Sequence, residues 1–439
     1  MAAPTAPSRT AWWRRPWMVP LALVALATLM TMWPNYVDLD PARASVPIPP
    51  ERPWKYTLLL LHVSFGSIAL ITACLQVWPW LRRRHPLVHR VSGNVYVVAG
   101  VLPSALSAVW LIAWIDGNEG AAWMSRVVLN VFWVGSTVLG LVMARRGRWA
   151  EHRWYMVVSF ALTMDVFTAR FVSFTLLGFT SAQITDDEFL DMINWGAWTV
   201  NLVLAFWWLE RGRREAPATP ERRGTRRLVG LLAVASALAA VVPFVPLDWL
   251  AIAVAHGGVP SPDPALLTWS GVFLAVALVT AVIQCWPSRR PRLLAARVHL
   301  LAGVLPAVLL GVLLVAGAGG GGWVGRFYVA ALWLAVAVLT LRMARQGRWG
   351  EYRRYRVYGL ALALDVVTMR LLAVVLPVVA PGLDVPSLMD VVGWCGWILN
   401  LVLAHAWLAR TTRRDRPAAH RPVAAPRAPA RDRTPAVSR

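Results

Sequence analysis

The chain is cut into apolar runs of roughly twenty residues, each bounded by charge or by proline and glycine, and no other feature limits its fold as much. About 20 apolar residues in helical form cross the roughly 30 Å hydrocarbon core of a bilayer. Twelve such runs are read, near 17–33, 56–80, 91–115, 126–144, 154–179, 192–209, 228–246, 266–287, 298–318, 325–344, 354–380 and 388–409. Gly and Pro inside several of them are tolerated, because packed neighbouring helices re-satisfy the backbone. Composition agrees, with 58% of the residues apolar and 15% charged, where a soluble domain averages about 45–50% and about 25%. The expectation is an all-α polytopic membrane protein seated in the lipid bilayer of the cell membrane. A large soluble core and a disordered chain are both excluded.

Charge then sets a topology. Lys and Arg number 44 against 22 acidic residues, a net charge of +22, and Lys55 is the single lysine. The basic residues precede the first run (Arg9, Arg14, Arg15) and recur in every second loop: 81–90, 145–153, 210–227, 288–297 and 345–354, then the tail after Arg410. The alternate loops carry Asp38, Asp40, Asp116, Glu119, Asp186, Asp187, Glu188, Asp191, Asp263 and Asp384 instead. The positive-inside bias predicts that both termini are cytoplasmic. Nucleic acid is excluded as a partner, since the excess is spread over short loops and no recognition module accompanies it. The triplet Ala42-Arg43-Ala44 lies too far beyond the first apolar run for a signal-peptide cleavage site, so that run is read as a retained helix. Cys74, Cys285 and Cys395 stand far apart in apolar runs and imply neither a disulfide framework nor a zinc site.

The two halves repeat each other. MARRGRWAEHRWYMVVSFALTMDVFTAR at 143–170 aligns without a gap to MARQGRWGEYRRYRVYGLALALDVVTMR at 343–370, and WGAWTVNLVLAFWWLER at 195–211 matches WCGWILNLVLAHAWLAR at 394–410. Gln76-Val77-Trp78-Pro79 matches Gln284-Cys285-Trp286-Pro287, and AGVLP recurs at 99–103 and 302–306. Each half holds six spans, an even number, so the repeats are parallel and related by an axis along the membrane normal. The organisation read from this is a cytoplasmic N-terminal segment at 1–16, a first six-helix repeat at 17–209, a linker at 210–227, a second, degenerate repeat at 228–409, and a disordered basic tail at 410–439.

Comparing the halves separates shared polar groups from unshared ones. Asp165, Arg170 and Asn201 recur as Asp365, Arg370 and Asn400. His62, His89 and His152 do not, falling opposite Ser270, Arg292 and Tyr352. A rise of about 1.5 Å per residue puts Asp165 about 16 Å into span five, near the midplane, and Asn201 of span six at the same level. Arg170 and His62 then lie together toward the outer leaflet. Ionisable groups at such depths turn inward and find partners. Asp165 and Arg170 are separated by about 140° around the helix, which favours cross-helix partners over a direct pair. The expectation is Asp165 with Asn201, and Arg170 with a carbonyl or a ligand anion. The cluster serves either to tie helices together or as a substrate or proton site. His62 stands on a stripe of small residues, Gly66, Ala69 and Ala73, suited to close approach of another helix or of a flat ring.

At the cytoplasmic edge, His89-Arg90 enters span three and His152-Arg153 enters span five at one level. Neutral imidazoles there suit a metal or a haem iron, and the arginines suit propionates or phosphates. The same residue types also anchor helix ends among lipid headgroups. No phosphate-cradling glycine loop, HExxH or GxSxG is present.

The pattern of His62 with Gly66, then H-P-x-x-H-R-x-x-G-x-x-Y at 85–96, E-H-R-W-x-M at 151–156 and D-x-x-x-x-R at 165–170, resembles the bacterial membrane-protein family called domain of unknown function 2306. The resemblance covers about 56–179 and, weakly, 266–380, where the matching histidines are missing. Spaced histidines on packed helices are also loosely similar to b-type membrane cytochromes. The leading functional expectation is a haem-binding or redox membrane protein, with haem b held by His89 and His152 as metal ligands and by Arg90 and Arg153 as anion contacts. The alternative is a membrane-embedded enzyme acting on a lipid or other small apolar substrate such as an isoprenoid. In that reading Asp165, Arg170, Asn201 and His62 form the catalytic group. A transporter is the further alternative.

Overall fold

A computed structural model describes residues 17–44, 48–113, 122–179, 186–211, 276–285, 293–315, 322–379 and 385–414. Among them every regular element is a helix. In the first half these are α1 (Met18–Met32), α2 (Trp54–Val77), α3 (Pro79–Arg84), α4 (Pro86–Val95), a π-helix (Tyr96–Val101), α5 (Leu102–Ala113), α6 (Ala122–Arg145), α7 (Trp149–Thr163), α8 (Asp165–Phe179) and α9 (Asp186–Arg211). In the second half they are α10 (Val276–Cys285), α11 (Leu293–Val315), α12 (Gly322–Arg345), α13 (Trp349–Ala363), α14 (Asp365–Val379) and α15 (Val385–Arg414).

Eight stretches among the described residues are long and apolar enough to cross a membrane, and the chain is a polytopic membrane protein. The run read at 228–246, most of the linker at 210–227, the segment 1–16 and the tail beyond 414 lie outside the described residues. Apolar side chains face outward as lipid requires; Val378 is 81% exposed and Leu23 60%.

Local sequence explains where the helices start, break and turn. Pro79 and Pro86 open α3 and α4 at the first helical position, where a missing N–H costs nothing. Gly147 and Gly347, each at φ +67°, make the turns from α6 to α7 and from α12 to α13. Both sit in the left-handed region that an L side chain resists. Span five is interrupted at Met164 and its counterpart in the second half at Leu364, where ψ collapses to −4° and −6°. The amides of Phe167 and Thr168 both return to the Met164 carbonyl, and those of Val367 and Thr368 to the Leu364 carbonyl. Asp165 and Asp365 therefore each begin a new half-helix inside the membrane, where a carboxylate complements the N-terminal dipole.

The small-residue stripe of α2 is consumed by packing. Ala69 and Ala73 bury against Tyr96, Val97 and Val101 of the π-helix, and a Cβ on Gly100 would come within 2.9 Å of Ala69 Cα. The larger core joins the halves. Trp195 stacks on Trp394 at 5.9 Å and 5°, and Phe206 stacks on His405 at 4.2 Å and 8°. Both are pairs of repeat counterparts, and residues meet their own counterparts where an axis relating two repeats passes. His405 also accepts from Trp154 Nε1 at 2.6 Å through its Nε2 and lies 2.6 Å from the Tyr358 hydroxyl through Nδ1.

Candidate functional site

At the end of the bundle opposite the arginine-rich loops, a cavity of about 310 Å³ opens between α2, α5, α6, α8 and α9. Lys55, Leu59 and His62 line it from one face of α2, at the four- and three-residue spacing that stacks side chains on a helix. Arg126 and Asn130 enter from the first turns of α6, Asn194 from α9, and Asp165 from the start of α8. The cavity thus gathers two cations, one imidazole, one carboxylate and two amides among apolar side chains.

Each polar group is held in place by identifiable contacts. His62 Nδ1 lies 2.9 Å from the Ser104 carbonyl oxygen and 3.2 Å from Ser104 Oγ. A carbonyl only accepts, so Nδ1 carries the proton and Nε2 keeps its lone pair in the neutral ring. Arg126 Nε donates to Asn194 Oδ1 at 3.3 Å. The Asn194 carbonyl accepts from Ser125 Oγ at 2.6 Å, and Trp198 Nε1 donates to the same Ser125 oxygen at 3.0 Å. Asp165 Oδ1 is shielded from solvent and has no hydrogen-bond partner among the described residues. Arg126 and Arg170 lie close enough to act on this carboxylate through their charge.

Two expected pairings resolve differently. Arg170 Nη1 donates to the Val166 carbonyl at 3.0 Å, a carbonyl of its own helix. Asp165 does not pair with Asn201: Thr168 Oγ1 donates to Asn201 Oδ1 at 2.9 Å, and Thr368 does the same to Asn400 at 2.9 Å. The reason is the break at Met164, which restarts the helix and turns Thr168, one turn on, toward span six. The second half shows where the carboxylate goes when α15 leaves room. Asp365 Oδ1 lies against Gly396, in the space a side chain there would fill. The first half has Ala197 at that position, 1% exposed. Its methyl group closes that seat, and Asp165 lines the cavity instead.

The basic end of the first half brings together the other predicted residues. His89 and His152 are close enough to influence each other electrostatically. His152 Nδ1 lies 2.9 Å from the Gly140 carbonyl, which fixes its proton there and leaves Nε2 as the lone-pair nitrogen. His89 Nδ1 is buried without a hydrogen-bond partner among the described residues, while Gln76 Nε2 donates to the His89 carbonyl at 2.8 Å. Arg90 is exposed, and the Arg153 guanidinium lies over the Trp208 ring at 5.3 Å. Among the described residues no three His, Cys, Asp or Glu side chains converge on a metal-sized site.

Sequence reasoning missed Lys55, Arg126, Asn130 and Asn194 as site residues. The signal was available for Arg126, an arginine just inside an apolar span at the end where loops are otherwise acidic. It also missed His299 and His405, because only histidines absent from the second half were weighed.

Residues 59–209 match the family described as Predicted membrane protein (DUF2306). No curated protein and no solved structure matches the chain. The matched range holds most of the cavity and both histidines of the basic end, and lies wholly within the first half.

Proposed function

We propose that the first half is a membrane-embedded enzyme whose pocket takes a lipid or isoprenoid with an anionic head and exchanges a proton with it. The observation that carries this reading is that Lys55, Arg126, His62 and Asp165 share one cavity, with Asp165 Oδ1 left without a hydrogen-bond partner. The two cations recognise the head through charge-assisted hydrogen bonds. Neutral His62 offers Nε2 as a base, and Asp165 supplies a second proton-exchanging group at the floor. A volume of about 310 Å³ sits at the lower bound of the roughly 300–1,000 Å³ typical of ligand pockets. That is room for a head and its first carbons, the remaining tail lying in the bilayer. With the arginine-rich end cytoplasmic, the pocket opens on the outer face.

Calorimetric titration of the full chain in neutral nanodiscs with decyl phosphate tests this. Arg126→Gln is expected to weaken binding about tenfold, the worth of one charge-assisted contact. Asp165→Asn removes a like charge beside the bound anion, so it is expected to tighten binding several-fold while stopping proton exchange. Equal binding of decanol, which has no anionic head, would overturn the reading.

A second reading rests on the basic end, where His89 and His152 are close enough to act on each other through charge and His152 Nδ1 is held by a carbonyl, as carbonyls hold the far nitrogen of metal-bound imidazoles. There the two imidazoles would hold haem b, and Arg90 and Arg153 would be the contacts for its propionates. Purified protein should then show a Soret band that His89→Ala and His152→Ala each remove; a colourless preparation from haem-replete cells sinks it.

A further inference from the structure

Each half breaks span five at the same place and starts a new helix on an aspartate, yet the two carboxylates end in different surroundings. The breaks match in detail: ψ is −4° at Met164 and −6° at Leu364, and each carbonyl there accepts the amides three and four positions on. The threonine one turn later donates to the asparagine of the next span at 2.9 Å in both halves. Backbone and neighbours therefore present Asp165 and Asp365 alike. Asp165 nevertheless lines the pocket, whereas Asp365 is 7% exposed, with Oδ1 seated where a Cβ on Gly396 would stand. That Cβ would also stand 3.4 Å from the Met369 amide nitrogen, so the seat lies between α15 and the backbone of α14.

The difference is a glycine moved by one position. Trp195-Gly196-Ala197-Trp198 aligns with Trp394-Cys395-Gly396-Trp397. A Cβ on Gly196 would come within 3.0 Å of the Tyr328 hydroxyl, so the first half uses its glycine for the close approach of α12. The counterpart of Tyr328 is Val128, shorter and without a hydroxyl, and the second half carries Cys395 in place of that glycine. Its own glycine comes one residue later, beneath Asp365. Ala197 is 1% exposed and does not line the pocket.

We propose that Ala197 is a positioning residue that makes Asp165 available for proton exchange, and that Gly396 withdraws the same acid from use in the second half. The proposal rests on the pocket reading for the role of Asp165. Ala197 acts by filling, with one methyl group, the seat that a withdrawn carboxylate would take. In the pocket the carboxyl O–H bond breaks as the bound molecule gains the proton, and it re-forms when the proton returns. A carboxyl seated between two helix backbones reaches no such molecule. Each half thus holds one copy of the acid, and one methyl group decides which copy reacts.

Dicyclohexylcarbodiimide tests this without any pocket ligand, because this apolar reagent adds to a protonated carboxyl group that it can reach within a membrane protein. The full chain in neutral nanodiscs is treated with it, and peptide mass spectrometry reads the adduct at each aspartate. Asp165 is expected to label about tenfold faster than Asp365. Ala197→Gly should lower labelling of Asp165 toward the rate of Asp365, and Gly396→Ala should displace Asp365 and raise its labelling. Loosened packing alone would not redirect the reagent from one aspartate to the other. If Gly396→Ala does not fold, Ala197→Gly decides alone. Decyl phosphate binding is the second measurement. Ala197→Gly should tighten it, as Asp165→Asn does, and should add nothing in an Asp165→Asn background, since both act through one carboxylate. Redirected labelling without decyl phosphate binding overturns the pocket reading and leaves the role of Ala197 standing. Equal labelling of the two aspartates in the original protein, or unchanged labelling in either folded variant, overturns the role of Ala197 whatever the pocket binds.

Discussion

Replacing His405 by alanine is expected to destabilise the protein by about 3–5 kcal/mol, read as a lowered thermal midpoint in detergent. The imidazole is 0% exposed and lies face to face with Phe206, its counterpart in the first half. Truncation removes that stacking and opens a void in the cluster that joins the halves. It also takes the acceptor from half-buried Trp154 Nε1 and the partner from the buried Tyr358 hydroxyl. His405→Phe separates the two contributions. Phenylalanine keeps the volume and the stacking but neither hydrogen bond, so about 1–3 kcal/mol of the loss should remain for each polar group left buried without a partner. A His405→Phe protein as stable as the original would mean that the ring's nitrogens contribute nothing to holding the halves together.

Apolar helices long enough to cross a membrane, eight of them among the described residues, and the polar side chains set within them were legible in the sequence. Their partners were not. Partner choice depends on how each helix is rotated, and rotation is set by contacts such as Ala69 against Gly100, which spacing alone does not reveal. The break in span five is likewise silent: Thr163-Met164-Asp165 contains neither glycine nor proline, yet it restarts the helix and moves Thr168 onto Asn201. The site could have been approached from the repeat itself. Ala197 opposite Gly396 is a one-methyl difference beside an aspartate present in both halves, and it decides whether the carboxylate packs on a neighbouring backbone or lines a pocket. His405 opposite Phe206 and His299 opposite Tyr96 were visible in the same alignment. Their roles were not, since a buried histidine at a helix contact and a liganding one look alike until both ring nitrogens have named partners.

Gly100→Ala and Gly303→Ala, at matched positions of the repeat, are expected to change stability in opposite directions. A Cβ on Gly100 would stand 2.9 Å from Ala69 Cα and 3.0 Å from Ala69 N. Both are backbone atoms, so no rotamer change relieves the contact, and α2 must move away from the π-helix. Overpacking of this kind costs about 1–3 kcal/mol, and Gly100→Val should exceed it. At Gly303 the nearest atoms are those of the Trp333 ring at 3.4 Å, ordinary contact. Alanine there gains up to about 1 kcal/mol of helix propensity with no clash to offset it. Thermal unfolding of the two variants side by side measures the difference. Equal midpoints would show that α2 and the π-helix are not in the close contact on which the geometry of the first half depends.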